Sequence, residues 1–206
     1  MRPIEVRKIP AKVDPDQLVI DLDTLSALAR RVGAGEVFLI GARDVIFSRE
    51  VLTQVRAGAE FTSCHWPVNY PKDSLEEAIG FYQKGIFFII SHNGDIPEYF
   101  GGLIEDASHR NAYRKVYEVA SRVESVAFYL GYHLALGLAR GNCRTIFCPG
   151  QQECVASKRG ERCLHPLRSR PSLEAVGIDA REMARNMGID LPSGDTAFLA
   201  GLVMVS

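Results

Sequence analysis

Apolar residues recur every three or four positions in two stretches of the chain, which is the pattern of helices that bury one face. The first stretch covers residues 16–32; it follows Asp14, which suits a helix start, and Gly33 ends it. The second stretch covers residues 112–138 and leads straight to Gly141. The pattern therefore predicts two long amphipathic helices.

Capping residues predict two further helices. Ser74 and Glu77 form a capping-box pattern, which opens a helix of about ten residues that Gly85 ends. Ser172 suits the N-cap of a last helix, which we expect to run to Gly188.

Short apolar runs predict the strands. Residues 37–40 and 86–90 are continuous apolar runs of strand length, residues 45–47 suggest a short second strand, and the apolar tail 197–205 suits a final strand. Strands and helices are mixed along the chain without a regular alternation. We therefore predict an α+β fold, with a small mixed sheet packed against helices.

The composition is that of an ordinary globular protein. With 206 residues, 47% of them hydrophobic, the chain is long enough to bury one core, so we expect a single domain over residues 1–206. The 24 basic and 25 acidic residues give a net charge of −1. Nucleic acids and anionic membranes bind proteins with a basic excess, so we expect neither as a partner.

The sequence offers no secretion signal and no membrane span. The first ten residues, MRPIEVRKIP, lack the apolar run of a secretory signal. The uncharged stretch 125–139 is shorter than the ~20 apolar residues that span a bilayer, and we interpret it as part of a buried helix. We expect a cytoplasmic protein, whose thiols are kept reduced.

Four of the five cysteines lie within a short segment. Cys143, Cys148, Cys154 and Cys163 fall inside residues 141–171, which we predict to be a metal-binding segment, a cysteine-rich loop that follows the long helix. Thiolates are soft ligands that suit iron–sulfur clusters or zinc and do not suit magnesium or calcium. Scattered reduced thiols are the alternative, but the segment is polar and broken by Gly and Pro, unlike a core.

The spacing of the four cysteines does not decide between zinc and an iron–sulfur cluster. Structural zinc sites favour paired cysteines two to four residues apart, and here only the first gap, Cys143-x4-Cys148, fits. The C-x2-C-x2-C run of ferredoxins does not fit either. His165 would replace a cysteine in a Cys3His zinc site, and Cys64 is a possible additional ligand.

Basic residues surround the cysteines. They favour an anionic centre, because cations lower the pKa of nearby thiols, and they offer a surface to an acidic partner. Two carboxylates, Glu153 and Glu161, offset them. The basic residues are Arg140, Arg144, Lys158, Arg159, Arg162, Arg168 and Arg170.

Several stretches resemble a family of predicted metal-binding proteins, a domain of unknown function found mainly in anaerobic bacteria and archaea. The family pattern has a long helix that ends in a glycine–cysteine step, then further cysteines, a C-R-H-P-like element and an R-P-S-M-E-A-x-G-I-D element. The matching stretches are 124–132 (ESVAFYLGY), 141–143 (GNC), 163–166 (CLHP) and 170–179 (RPSLEAVGID). The resemblance implies a metal in the cysteine-rich part, with an iron–sulfur cluster favoured.

The resemblance is weaker in the first half of the chain. Residues 35–47 are similar to the family's first strands, and 64–71 (CHWPVNYP) is similar to its C-P-P-Y loop. Other members carry further cysteines just before that loop, whereas residues 51–61 here have none. We therefore expect no second metal site in this half, which leaves Cys64 as a remnant or a fifth ligand.

Three functions follow as hypotheses. The first is a small iron–sulfur protein, with a 4Fe-4S cluster, that transfers electrons or supports a larger enzyme system, and its partner is a redox protein or that enzyme. The second is a zinc-stapled protein-interaction module. The third is a cluster enzyme with an open iron site, whose catalytic residues the sequence does not identify.

Overall fold

The computed structural model describes most of the chain. Cys64 and Ser74 lie outside the described residues, so what the sequence predicts for them stays a prediction. The described residues are 6–10, 13–57, 75–92, 96–97, 104–151, 153–191 and 197–206.

Seven helices and four strands are present in the described residues. None of these helices is both long enough and apolar enough to cross a bilayer. The helices are α1 (Pro15–Val32), α2 (Arg49–Ala57), α3 (Leu75–Gly80), α4 (Ala107–Tyr129), α5 (Cys143–Phe147), α6 (Val155–Arg159) and α7 (Ala180–Asn186). The strands are β1 (Glu36–Gly41), β2 (Lys84–Ile89), β3 (Leu136–Leu138) and β4 (Ala200–Val205).

Helix α1 begins and ends where the sequence predicts. The side chain of Asp14 accepts the amide N–H of Asp16 at 3.0 Å, and Pro15 occupies the first turn, where a missing N–H costs nothing. The amide of Gly33 closes the last turn by donating to the carbonyls of Ala29 and Arg30.

The strands form one sheet in the order β1-β2-β4-β3, and every pairing is antiparallel. The α+β prediction is confirmed, although the sheet is antiparallel where we expected a mixed one. The final strand β4 lies between β2 and β3, and all six of its residues are buried. The edge strand β3 is therefore held by the last residues of the chain.

Two apolar cores cover the two faces of the sheet. Alternate side chains of a strand point to opposite faces, so Ile86 and Phe88 of β2 enter one core while Phe87 enters the other. Helices α1 and α4 build the first core. Leu173 and Met183 belong to the second core, which places the chain after the cysteines on that face.

The long helix is shorter than its apolar spacing predicts. Helix α4 ends at Tyr129, because the amides of Gly131 and Tyr132 turn back onto the carbonyls of Phe128 and Ala127, a glycine-containing helix stop. Residues 136–138 form strand β3 instead of the end of a helix. The buried-helix interpretation of residues 125–139 is therefore wrong beyond Tyr129.

The predicted last helix is interrupted. A 3-10 turn (Glu174–Val176) comes first, and α7 begins later, at Ala180. Gly177 between them has a φ of 83°, and an added Cβ would lie 2.9 Å from Leu52. The chain therefore turns sharply against α2 at this glycine. Ser172 does not cap a long helix as predicted: Leu173 is the N-cap residue of the 3-10 turn, and the hydroxyl of Ser172, one residue earlier, accepts the amide of Ala175 at 2.9 Å.

Other elements also depart from the predicted boundaries. Residues 45–47 do not form a strand; Phe47 makes one isolated bridge with Ile178. Helix α3 ends at Gly80, before the predicted stop at Gly85. Residues 51–61 gave no clear signal in the sequence, and helix α2 runs from Arg49 to Ala57.

Candidate metal centre

The cysteine-bearing segment leaves and rejoins the sheet at one point. Beyond β3, the amide of Ala139 donates to the carbonyl of Pro171 at 2.9 Å, and the amide of Leu173 donates to the carbonyl of Ala139 at 2.8 Å. These two bonds hold the ends of segment 140–170 against each other. The four clustered cysteines therefore lie on a segment that leaves the sheet after its edge strand β3 and returns to the same place.

Two helices of five residues each order this segment, which we expected to be a loop. The side-chain oxygen of Asn142 caps α5 by accepting the amide of Arg144 at 2.9 Å. Cys143 is the first residue of α5, and Cys148 follows its last residue. Cys154 is the N-cap residue of α6. Helix ends thus fix the backbone at three of the cysteines.

The four clustered cysteines line one pocket. Cys143 is buried, Cys148, Cys154 and Cys163 are half-buried, and none of the four takes part in a disulfide. Within the described residues, no set of three His, Cys, Asp or Glu side chains is arranged as ligands of one metal ion. The apolar side chains of the pocket include Phe147, Val155 and Leu164.

Hydrogen-bond donors point at two of the sulfurs. The hydroxyl of Ser169 donates to the sulfur of Cys143 at 3.7 Å, and the backbone N–H of His165 donates to the sulfur of Cys163 at 3.4 Å. Donors of this kind orient metal-binding thiolates and stabilise their negative charge. This donor set fits a thiolate-bound metal centre.

Burial and the charges around it shift the pKa of one thiol in the pocket. Burial raises the pKa of the Cys148 thiol above its ordinary value, and the three other thiols raise it further. The guanidinium of Arg144 acts in the opposite direction. Arg144 is 4% exposed, and its Nη1 donates to the carbonyl of Gln151 at 2.9 Å. A bound cationic metal centre would relieve the repulsion among four thiolates.

His165 lines the pocket together with the cysteines. Its ring lies 5.6 Å from the ring of Phe147, which meets Tyr117 edge-on at 5.3 Å. The hydroxyl of Tyr117 donates to the carbonyl of Gly141 at 2.7 Å. An aromatic column therefore connects α4 to the pocket wall. Its packing accounts for the place of His165 without a ligand role.

One protein family matches most of the chain. The family model described as "Predicted metal-binding protein (DUF2284)" matches residues 39–205, a range that includes all four clustered cysteines. The chain belongs to this family. The resemblance seen in the sequence is confirmed, and a metal cofactor is supported. No curated protein and no solved structure shows significant similarity to this family member.

Two of the stretches that resemble the DUF2284 family meet in space. Glu124 on α4 accepts the amide N–H of Gly137 at 2.8 Å and forms an ion pair with Arg170. One carboxylate thus ties the long helix to β3 and to the chain that returns from the cysteines. Arg170 therefore serves this ion pair.

A second buried ion pair lies beside the metal-binding segment of this DUF2284 protein. The Nε of Arg140 donates to the carboxylate of Glu174 at 2.5 Å, and its Nη1 donates to the carbonyl of Phe198. Arg140 is 3% exposed and Glu174 is 6% exposed. Glu124 and Glu174 were not predicted as ion-pair partners from the sequence, although an acidic residue inside a largely apolar motif is a signal of such a pair.

Proposed function

We propose that this metal-binding protein carries an iron–sulfur cluster, of the 4Fe-4S type, on Cys143, Cys148, Cys154 and Cys163. The observation that carries the proposal is that these four cysteines, which come from separate turns of the segment, line one pocket. Four cysteine thiolates are the common ligand set of 4Fe-4S clusters. The cysteine-rich stretches that resemble the family support the same assignment.

The proposed role is electron transfer, or redox support of a larger enzyme system. A cluster supplies one-electron oxidation and reduction, at a potential that the protein sets. Phe147 and Leu164 limit the access of water, while Ser169 and the amide of His165 donate to sulfur. The cation of Arg144 favours the more negative, reduced state.

A zinc-stapled interaction module is the second candidate. Helices α5 and α6 have five residues each, and helices this short are not stable on their own in water. A structural zinc ion on the same four thiolates would hold such a segment and present its basic side chains to a partner. This candidate requires bound zinc and no inorganic sulfide.

Replacement of single cysteines tests the ligand assignment. We expect Cys143→Ser, Cys148→Ser, Cys154→Ser and Cys163→Ser each to lose most of the bound iron and sulfide, measured on protein purified without oxygen. Cys64→Ser is the matched control, and we expect it to keep the full content. If one of the four variants keeps an intact cluster even when it is combined with Cys64→Ser, the four-thiolate centre is wrong, and a cluster enzyme with an open iron site takes its place.

A further inference from the structure

Residues 162–168, called the docking loop below, form one wall of the cysteine pocket. Cys163 and His165 line the pocket from this wall. Ser169, which follows the loop, donates its hydroxyl to the sulfur of Cys143, and its amide donates to the carbonyl of His165 at 2.9 Å. The docking loop is therefore a thin layer of chain, with the thiols on one side and solvent on the other.

The outer side of the docking loop is apolar at its centre. Leu167 is 82% exposed, and Leu164, at the rim of the pocket, is 56% exposed. A single exposed leucine is ordinary on a protein surface. Two exposed leucines three positions apart, beside a pocket of cysteines, give this loop a small apolar patch, defined as Leu164 and Leu167, of the kind that protein interfaces bury.

The edges of this patch are positively charged, although the whole chain has a net charge of −1. Arg162 and Arg168 flank the two leucines and are exposed. Nearby, Arg159 is neutralised by Glu153 at 2.7 Å. Glu161 lies just before the loop and offsets part of the charge. The loop itself, residues 162–168, contains no carboxylate.

We propose that the docking loop is the contact surface for an acidic protein, whose carboxylates pair with Arg162 and Arg168 and whose apolar centre covers Leu167. An apolar centre inside a charged rim is the usual build of a protein–protein interface, and complementary charge steers the partners together. Nucleic acid fits less well, since two arginines neutralise few phosphates.

This inference rests on the proposed function and deepens it, because it names the class of partner. A protein bound to the docking loop lies one layer of chain away from the cysteine pocket. That short separation suits a redox partner. Electrostatic steering suits short-lived encounters, since it raises the rate of association without requiring a large buried area.

Flavodoxin, a small acidic electron carrier, is the probe for the test. The full chain, purified without oxygen, is titrated with flavodoxin, and the dissociation constant is measured at low salt and at 0.2 M salt, a concentration that screens surface charges. We expect binding that weakens with salt. The double variant Arg162→Gln/Arg168→Gln is expected to weaken it about tenfold, and Leu167→Gln about threefold.

The matched control removes two arginines elsewhere. Arg31, in the last turn of α1, and Arg43, two residues after β1, are exposed, and β1 is the sheet edge opposite β3. We expect Arg31→Gln/Arg43→Gln to bind flavodoxin like the unmodified protein. Absence of binding at low salt, equal weakening in both double variants, or tighter binding of single-stranded DNA than of flavodoxin would each overturn the proposal.

The test does not depend on electron transfer, because it measures binding. The metal and sulfide content of the same samples is measured separately. A colourless protein that still binds flavodoxin through the docking loop contradicts the iron–sulfur assignment and supports the docking surface. A protein that holds an intact cluster but does not bind flavodoxin through the docking loop supports the iron–sulfur assignment and contradicts the docking surface.

Discussion

Among the side chains that line the pocket beside the cysteines, we expect the buried guanidinium of Arg144 to influence its chemistry most. It lines the pocket with the four cysteines and lowers the pKa of the Cys148 thiol. A positive charge near a redox centre stabilises the form that has gained an electron. Because Arg144 is almost fully buried, solvent screens this effect less than it would at the surface.

Arg144→Gln is expected to lower the midpoint potential of the proposed cluster by on the order of 100 mV, the size given by one charge several ångströms away at an effective dielectric constant of about 20. Arg144→Lys keeps the charge and is expected to stay close to the original potential. Arg162→Gln removes an exposed charge and is expected to cause a smaller shift. Redox titration followed in the visible spectrum gives all three values, and equal potentials for Arg144→Gln and Arg144→Lys would contradict the electrostatic role.

Single residues also show what the sequence does and does not reveal about the site. The four cysteines were predicted as ligands from their clustering in the sequence, and the fold brings all four to one pocket. Arg140 and Glu174 were not identifiable as a pair, because they are separated by 34 positions. No local pattern reports a contact over that distance, and only the fold brings the two side chains together.

Among the secondary-structure elements, α4 is joined by the Glu124 carboxylate both to β3 and to the end of the metal-binding segment. Its carboxylate accepts the amide of Gly137 and pairs with Arg170. The two side chains are 20% and 12% exposed, so the pair is largely shielded from water. Loss of one member leaves a buried charge without its partner, which costs more than the loss of an exposed pair.

Glu124→Ala is expected to lower the free energy of unfolding by about 3 kcal/mol. Glu118→Ala is the matched control on the same helix, since Glu118 pairs with Lys115 and both side chains are about half exposed. We expect the control to lose about 0.5 kcal/mol or less. Urea denaturation of the metal-loaded proteins provides the comparison, and similar losses in the two variants would show that the Glu124 pair is not a structural connection.

Elements with one dominant signal were predictable from the sequence. Helix α1 has both its caps and its apolar stripe in the sequence, and β2 has a continuous apolar run. The chain after Tyr129 has two conflicting signals, because Leu130, Leu134 and Leu138 fit a helix stripe, whereas Leu134, Leu136 and Leu138 alternate as in a strand. Pairing of residues 136–138 with β4 decides in favour of the strand. The sequence does not contain that information locally.

Most of the metal-binding segment lies outside the two apolar cores that cover the faces of the sheet. The cores are formed mainly by α1, α4, the strands and the chain after residue 172. From the segment, Cys143 and Ile146 enter the first core. The sheet therefore has its own source of stability, whereas the short helices α5 and α6 depend on their surroundings.

Removal of the metal is expected to loosen the segment and leave the sheet folded. After treatment with a chelator under anaerobic conditions, amide hydrogen exchange should become much faster over residues 141–171, because the short helices lose the centre that holds them. The amides of β2 and β4 should remain protected. Loss of protection throughout the sheet would mean that the metal is required for the whole fold, which would contradict this division of stability.

The visible absorption spectrum of protein purified without oxygen, recorded before and after reduction, is the decisive test of an iron–sulfur cluster on the four clustered cysteines, combined with iron, sulfide and zinc analysis. We expect a broad brown absorption that bleaches with reductant, with iron and sulfide in equal amounts. A featureless spectrum from protein that holds zinc and no sulfide would contradict it and would establish the zinc-stapled module in its place.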